Sequence, residues 1–357
     1  MTFKLQNYKE PDFSLDYFKN LPQAKYVEVE KDGVAPDNYH AMSIYPEYFK
    51  VNDKWILCTE SRMDTVAVLK DDKIDIVEFR RLKKGDKVFV GRTEDGSEGI
   101  YMYTEGFLSN LDENDRFAFR SGRSRETAFS KDYDELYEIL KYEKENNGYI
   151  TWVLGSAVAT DDLTRKNFSK LIENGYCHAV LTGNGTAAID ITRGFKDYEY
   201  NRYEDFFTKI QNEYKTIREV KELGGIKSAV ENNYIENGIF KTLTDFQIPY
   251  VLAGSIRDRF NFDETYKNVY EAQDEMRKHT RKSTMLICLS SVLNTIASGN
   301  MTPSYNEFDS VVRPIYIYSI DLQEFSVNKL TDRGTLEVKT MVTNVHDFIK
   351  NLERRLI

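Results

Sequence analysis

A chain of 357 residues is long enough for two domains with cores of their own, and its formal charge of −9 is wrong for a nucleic-acid partner, which needs a clustered Lys/Arg face to meet phosphates. The polar, charged start MTFKLQNYKEPDF reads as no signal peptide, and no uncharged apolar run approaches a bilayer crossing, so a cytoplasmic chain without a membrane partner is expected. Cys58, Cys177 and Cys288, and His40, His178, His279 and His346, are scattered singly, which fits reduced core thiols and points away from a disulfide framework or a metal centre.

Residues 1–128 read as a β-rich domain with its connection. Lys25 to Glu30 alternates like a strand, and Asp32-Gly33 marks a turn. Short runs follow at Phe49–Val51, Lys54–Leu57, Thr65–Leu69, Ile74–Phe79 and Lys87–Gly91, joined by turn signals at Asn52-Asp53, Asp71-Asp72 and, as a hairpin, Lys84-Gly85-Asp86. The expectation is a small barrel or sandwich acting as scaffold, with Arg62-Met63-Asp64 as the stretch able to face a neighbouring site. From Glu105 to Arg125 the chain is polar and Gly/Ser-bearing, a solvated linker whose Arg116, Arg120, Arg123 and Arg125 are the alternative holders of a phosphate or carboxylate.

Residues 129–357 read as an α/β domain. A helix from Tyr133 to Asn146 leads into the apolar run Ile150–Leu154, too continuous for a sheet with one wet face, which stops at Gly155-Ser156-Ala157. Asp161 or Asp162 caps a helix that Gly175 ends, and a second strand, Ala179–Leu181, runs into the small-residue loop Thr182–Ala188. Helices are expected over Tyr198–Leu223, Ile226–Asn237 and Thr265–His279, with a strand from Ile248 ending at Gly254-Ser255 between the last two. Ser283–Ser298 reads as a buried helix leading to a loop at Gly299-Asn300; strands over Pro314–Ile320, ending at Asp321, and Leu336–Val342 close the chain. Strands alternating with helices imply a mainly parallel sheet, and several strands ending in small-residue loops imply a ligand at their carboxyl ends. The G-x-G-x-x-G fingerprint is absent after the first of these strands.

The motifs GYCHAVLTGNGTAAIDI, PYVLAGSIRD, YEAQDEMRKH, ASGNMTPSY and NKLTDRGT, in this order, resemble the NAD-dependent ornithine cyclodeaminases of the archaeal type, also found as the carboxyl-terminal part of cyanobacterial arginine dihydrolase/ornithine cyclodeaminase fusions. The resemblance runs back through DGVAPDNYHAMSIYPEYFKVNDKWI and covers the chain from about Leu21. It implies a Rossmann-like fold of the deoxyhypusine-synthase type that holds NAD at its strand ends. Gly155, Ser156, Gly183, Asn184, Gly254, Ser255, Gly299 and Asn300 are then the expected cofactor loops, with Asp321 on a ribose. The implied reaction converts an amino acid such as ornithine to a cyclic imino acid, proline, with loss of ammonia and transient hydride transfer. A homo-oligomer is the implied assembly.

That chemistry needs a base for the α-ammonium, an acid for the departing ammonia and a carboxylate clamp. Asp190 is the candidate acid/base or ammonium holder, with the cap of the following helix as the equal alternative; Asp258 comes second, Arg257 is the candidate clamp, and Asn184 is expected to orient substrate or nicotinamide. The family pattern around Asp190 is His-Asp-Ile-Glu, where this chain has Ile189-Asp190-Ile191-Thr192. That departure bears on the substrate more than on the cofactor. A plain NAD-dependent dehydrogenase or condensing enzyme, and a non-catalytic NAD-binding protein, are the competing readings.

Overall fold

The computed structural model describes residues 3–107, 131–198, 203, 205–254, 260–308, 311–323, 330 and 336–357. A short helix, α1 (Asp16–Lys19), precedes seven strands: β1 (Lys25–Glu28), β2 (Glu47–Val51), β3 (Lys54–Leu57), β4 (Thr65–Lys70), β5 (Lys73–Glu78), β6 (Lys87–Val90) and β7 (Ile100–Met102). They form two antiparallel sheets, ordered β1-β6-β4-β5 and β3-β2-β7, whose facing apolar residues, among them Phe49, Ala67, Ile74, Phe89 and Ile100, close one core. Of the expected barrel or sandwich, the two sheets make the sandwich. Asn52 and Asp53 both take positive φ (50° and 61°), the conformation a two-residue hairpin demands. Lys84-Gly85-Asp86 is a turn but not the expected hairpin: β6 pairs with β1 and β4, not with β5, and the Gly85 N–H donates to Val29 O instead.

In the second part the order is α2 (Lys131–Glu145), β8 (Ile150–Leu154), α3 (Asp162–Glu173), β9 (Ala179–Gly183), α4 (Asn184–Gly194), α5 (Phe206–Glu222), α6 (Ile226–Glu231), α7 (Ile239–Asp245), β10 (Tyr250–Ala253), β11 (Thr265–Tyr266) and α8 (Val269–Thr280). Then follow β12 (Met285–Leu289), α9 (Val292–Met301), a hairpin of β13 (Tyr305–Phe308) and β14 (Val311–Pro314), β15 (Tyr316–Asp321), β16 (Glu337–Val342) and α10 (Val345–Leu356). Seven strands pair in parallel in the order β11-β10-β9-β8-β12-β15-β16. One face packs Trp152, Val180 and Tyr318 against α2 to α7 and α10; the other packs Val153, Leu181 and Cys288 against Met276 of α8 and Met301 of α9. Asp161 caps α3 as read from the sequence, accepting from Thr164 N at 2.8 Å, and Gly175 ends it with φ +76°.

Ser283–Ser298 is not one helix. Met285–Leu289 is the central strand β12, buried completely, and the helix starts only at Val292. A short apolar run looks alike in a buried strand and a buried helix, and here the sheet took it because both flanks, β8 and β15, offer hydrogen-bonding edges. Thr265 likewise belongs to a strand, and the helix read over Ile226–Asn237 is α6 alone, followed past Gly238 by a separate α7.

The two parts meet along α8 and the β13–β14 hairpin. Arg62, with only 5% of its surface exposed, pairs with Glu60 and Glu78; Glu78 also takes Arg277 of α8, and Arg281 reaches Glu60 at 2.9 Å. Arg62 is therefore part of an inter-domain ion network that compensates its burial, rather than a group facing a ligand. The linker arginines Arg116, Arg120, Arg123 and Arg125 lie outside the described residues.

Candidate functional site at the carboxyl edge of the parallel sheet

In chain order the strands step outward from β8 through β9 and β10, then return to add β12 on the other side of β8. The order therefore reverses between β8 and β12, and at such a switch point the loops diverge to leave a crevice for a ligand. At this point β8 runs into Gly155 and β12 into Ser290-Ser291. The Gly155 N–H donates to Leu289 O at 2.7 Å and the Ser290 N–H to Ile320 O at 2.9 Å, so the strand ends of β8, β12 and β15 are laced together at this edge. A Cβ at Gly155 would stand 1.9 Å from Ser290 O, closer than any side chain tolerates. Glycine is required there by the neighbouring backbone, not by its own φ of −89°.

Two helices direct their amino termini at this edge. α4 starts at Gly183 and α9 at Ser291, and neither cap residue makes a side-chain cap hydrogen bond, so the first-turn N–H groups stay available to an anion. Gly185 in the first turn of α4 faces open space. Ser290 holds φ +47°, a left-handed conformation rare outside glycine, asparagine and aspartate, and such strain concentrates where a loop is shaped for a ligand. Ser290 and Ser291 escaped the sequence reading because they fell inside the supposed helix; the signal was present in the paired serines closing the apolar run Met285–Leu289.

Asp321 ends β15 beside Ser290, half-buried, and among the described residues its carboxylate accepts only the local N–H of Gln323, on Oδ1 at 3.1 Å, which leaves acceptor capacity. Leu293, two residues after Ser291, and Leu322, next after Asp321, are 78% and 63% exposed and offer bare apolar surface at these strand ends. Ser156 is exposed and opens a helical turn after Gly155 whose Val158 and Ala159 are buried. The Gly254 N–H donates to Tyr266 O at 2.9 Å, binding β10 to β11. Ser255, Arg257 and Asp258 lie outside the described residues.

Three expectations are corrected. Gly299 and Asn300 are not in a strand-end loop but in the last turn of α9, at the opposite edge of the sheet: Met301 O accepts from Thr280 Oγ1, which precedes the start of β12. Gly299 is small there because Leu330 packs where its Cβ would stand. Asn184 is buried at 3% exposure: Nδ2 donates to Phe260 O (3.1 Å) and Oδ1 accepts from Phe262 N and Thr265 Oγ1 (both 3.0 Å). These bonds make it a positioner of the chain beyond β10 and use one of its two amide N–H donors.

Asp190 is the third. It has no exposed surface and lies among helices α3, α4 and α7. Its Oδ1 accepts from Arg165 Nε at 2.7 Å and Ile239 N at 3.0 Å, its Oδ2 from Phe240 N at 2.9 Å, and Arg165 Nη2 donates to its carbonyl at 2.8 Å. The carboxylate caps α7, a helix distant in sequence, while ion-pairing with α3. A group so enclosed and saturated exchanges no proton with a substrate.

With this geometry in hand, comparison with known proteins is informative. A family model described as "Arginine dihydrolase ArgZ-like, C-terminal, Rossmann fold" matches residues 134–352. An ornithine cyclodeaminase of Methanococcus maripaludis is 30% identical over 349 residues, covering 94% of this chain and 81% of its own. The bifunctional arginine dihydrolase/ornithine cyclodeaminase ArgZ of Synechocystis is 31% identical over 335 residues, but the match spans only 46% of that fusion protein. Among solved structures, an LOR/SDH protein of Methanococcus maripaludis superposes with a TM-score of 0.79 at 28% identity, covering 94% of this chain and 98% of the other. AgrE, solved as a ternary complex with ornithine and NAD+, superposes with a TM-score of 0.56 at 28% identity, over 96% of this chain and 46% of AgrE.

Proposed function

Because the chain belongs to the family of the ArgZ-like carboxyl-terminal Rossmann-fold region, we propose that it is an NAD-dependent ornithine cyclodeaminase-like enzyme, an ammonia-lyase that closes an amino acid such as ornithine into a cyclic imino acid. The observation that carries the reading is the topological switch point between β8 and β12, flanked by the uncapped amino termini of α4 and α9. The residues fit a dinucleotide. Backbone N–H groups at Gly185 and Val292 suit its phosphates, the free lone pairs of Asp321 suit a ribose diol, and Leu293 and Leu322 suit a ring.

Bound NAD+ supplies a site that can take up and return a hydride. The chain's part is to hold the substrate's α-carbon against that site, to keep water out, and to supply a proton acceptor and donor. Asp190 supplies neither; it fixes the helical layer beneath.

Incubation with L-ornithine and NAD+ is expected to release ammonia and form proline with no net rise in NADH. Steady accumulation of NADH would replace this reading by a dehydrogenase; NAD binding without turnover over an amino-acid panel would replace it by a non-catalytic NAD-binding protein. For the cofactor site, Asp321→Ala is expected to weaken NAD binding roughly ten- to a hundredfold by calorimetry, the worth of a hydrogen bond to a charged acceptor. Unchanged affinity removes Asp321 from the site.

A further inference from the structure

α5 packs against the sheet layer through Thr216, Ile217 and Val220, all buried. The same stripe, continued one and two turns toward the amino terminus, reaches Glu213 and Lys209. Two charged side chains thus occupy positions at which helical periodicity calls for apolar ones, and both are half-buried.

They do not meet a packed neighbour there. A cleft of about 140 Å³ separates them from α4, lined by Ile189, Thr192 and Arg193 of α4, by Thr160 after β8, and by Tyr198. Thr192 is 3% exposed, and its Oγ1 has no hydrogen-bond partner among the described residues. A buried hydroxyl left unpaired costs about 1–3 kcal/mol, so an orphan in a cleft marks a place where a ligand completes the bonding. The cleft is too small for a dinucleotide, at roughly five times the ~30 Å³ share of one liquid water, and suits the polar end of a small molecule.

The charges facing Glu213 are those of Lys209 on its own helix and Arg193 on α4. Arg193 is drawn away to Asp162 of α3 (2.8 Å), and Tyr198 is the remaining titratable wall. Among the described residues no ion pair reaches the Glu213 carboxyl, and burial pushes it up to about 7. Near neutrality such a group both accepts and returns a proton.

We propose that the cleft between α4 and α5 seats the charged end of an α-amino acid, with Lys209 on its carboxylate, Glu213 on its ammonium and the Thr192 hydroxyl bridging the two. One cation and one carboxyl four residues apart on a helix face present the complement of a zwitterion. In this seat the ionised Glu213 meets the substrate ammonium by a charge-assisted hydrogen bond. The assignment rests on the amino-acid reading above but is tested apart from it.

The full chain is titrated calorimetrically at pH 7 with L-ornithine and with 1,4-diaminobutane, in two buffers of different ionisation heat. Wild type is expected to release a fraction of a proton on binding either, as Glu213 ionises against the incoming ammonium. Glu213→Gln is expected to lose that buffer dependence and to bind both ligands at least tenfold more weakly; Lys209→Met should weaken ornithine alone, since the diamine has no carboxylate. Folding is checked by thermal unfolding. A carboxyl whose folded value is raised destabilises the fold increasingly as pH climbs from its ordinary range to about 7, so Glu213→Gln should melt at or above wild type at pH 8. Equal affinity and equal proton release in Glu213→Gln, or no binding of ornithine by wild type, overturns the seat. If Glu213→Gln also turns ornithine over normally, the seat falls and the cyclodeaminase reading stands. Glu213-dependent binding without ammonia release keeps the seat and retires that reading.

Discussion

Asp190→Asn is expected to lower the melting temperature by on the order of 10 °C while leaving the turnover of the molecules that remain folded close to wild type. Removing one member of a buried ion pair costs about 3–5 kcal/mol, because the survivor stays buried without its countercharge. Here the survivor is Arg165, 3% exposed, whose other carboxylate partner, Asp162, is largely in solvent. The amide of asparagine must also turn an N–H toward Arg165 or toward the N–H groups of Ile239 and Phe240, donor against donor. For a domain of this size each kcal/mol moves the midpoint by about 2–4 °C.

A simple cap would be almost silent to the same change, since Asn caps about as well as Asp. A general acid/base would instead keep its melting temperature and lose roughly a hundred- to ten-thousandfold in kcat. Thermal unfolding and kcat measured on one Asn preparation separate the three. The paired replacement Arg165→Met with Asp190→Leu should regain much of the loss, since it removes both charges together. Unaltered melting with collapsed kcat would return Asp190 to the chemistry.

The second large effect is expected at the switch point. Gly155→Ala keeps an ordinary backbone conformation, so its cost is wholly steric: the new methyl would stand 1.9 Å from Ser290 O and 3.0 Å from Leu289 O. Backbone atoms cannot rotate aside as a side chain does. The ends of β8 and β12 must part, at a cost of about 1–3 kcal/mol or more, where the cofactor is proposed to lie. A lower melting temperature together with NAD affinity weakened at least tenfold is the expected result.

Gly185→Ala is the matched control. Its Cβ meets nothing within 4 Å, and alanine in a helix is favoured over glycine by about 0.5–1 kcal/mol. Stability should hold or rise, and only NAD affinity should fall if phosphates rest on the first turn of α4. Calorimetry and melting curves on the two variants check both. Normal NAD binding by both variants would move the dinucleotide away from this edge.

The sequence by itself determined the layering. Ile150–Leu154, five residues long between a helix and Gly155-Ser156, read as a strand buried on both faces, and the capped amphipathic run from Asp162 to Glu173 as the helix that covers it. The alternation of such units, the small residues at strand ends and the ordered motifs carried the parallel sheet and the cofactor class. What the sequence left open was what each small or charged residue does there. Gly155 and Gly299 look alike in a list of glycines, yet one is required by the carbonyl of Ser290 and the other by the side chain of Leu330, contacts across 135 and 31 residues that no local pattern encodes. Asp190 and Glu213 are likewise two carboxylates on neighbouring helices. Only the tertiary structure gave Asp190 a buried arginine and two N–H groups, and so a structural role, while it left Glu213 half-buried at a cleft without an ion pair among the described residues, because desolvation and pairing depend on which elements pack together and not on which residues adjoin in the chain.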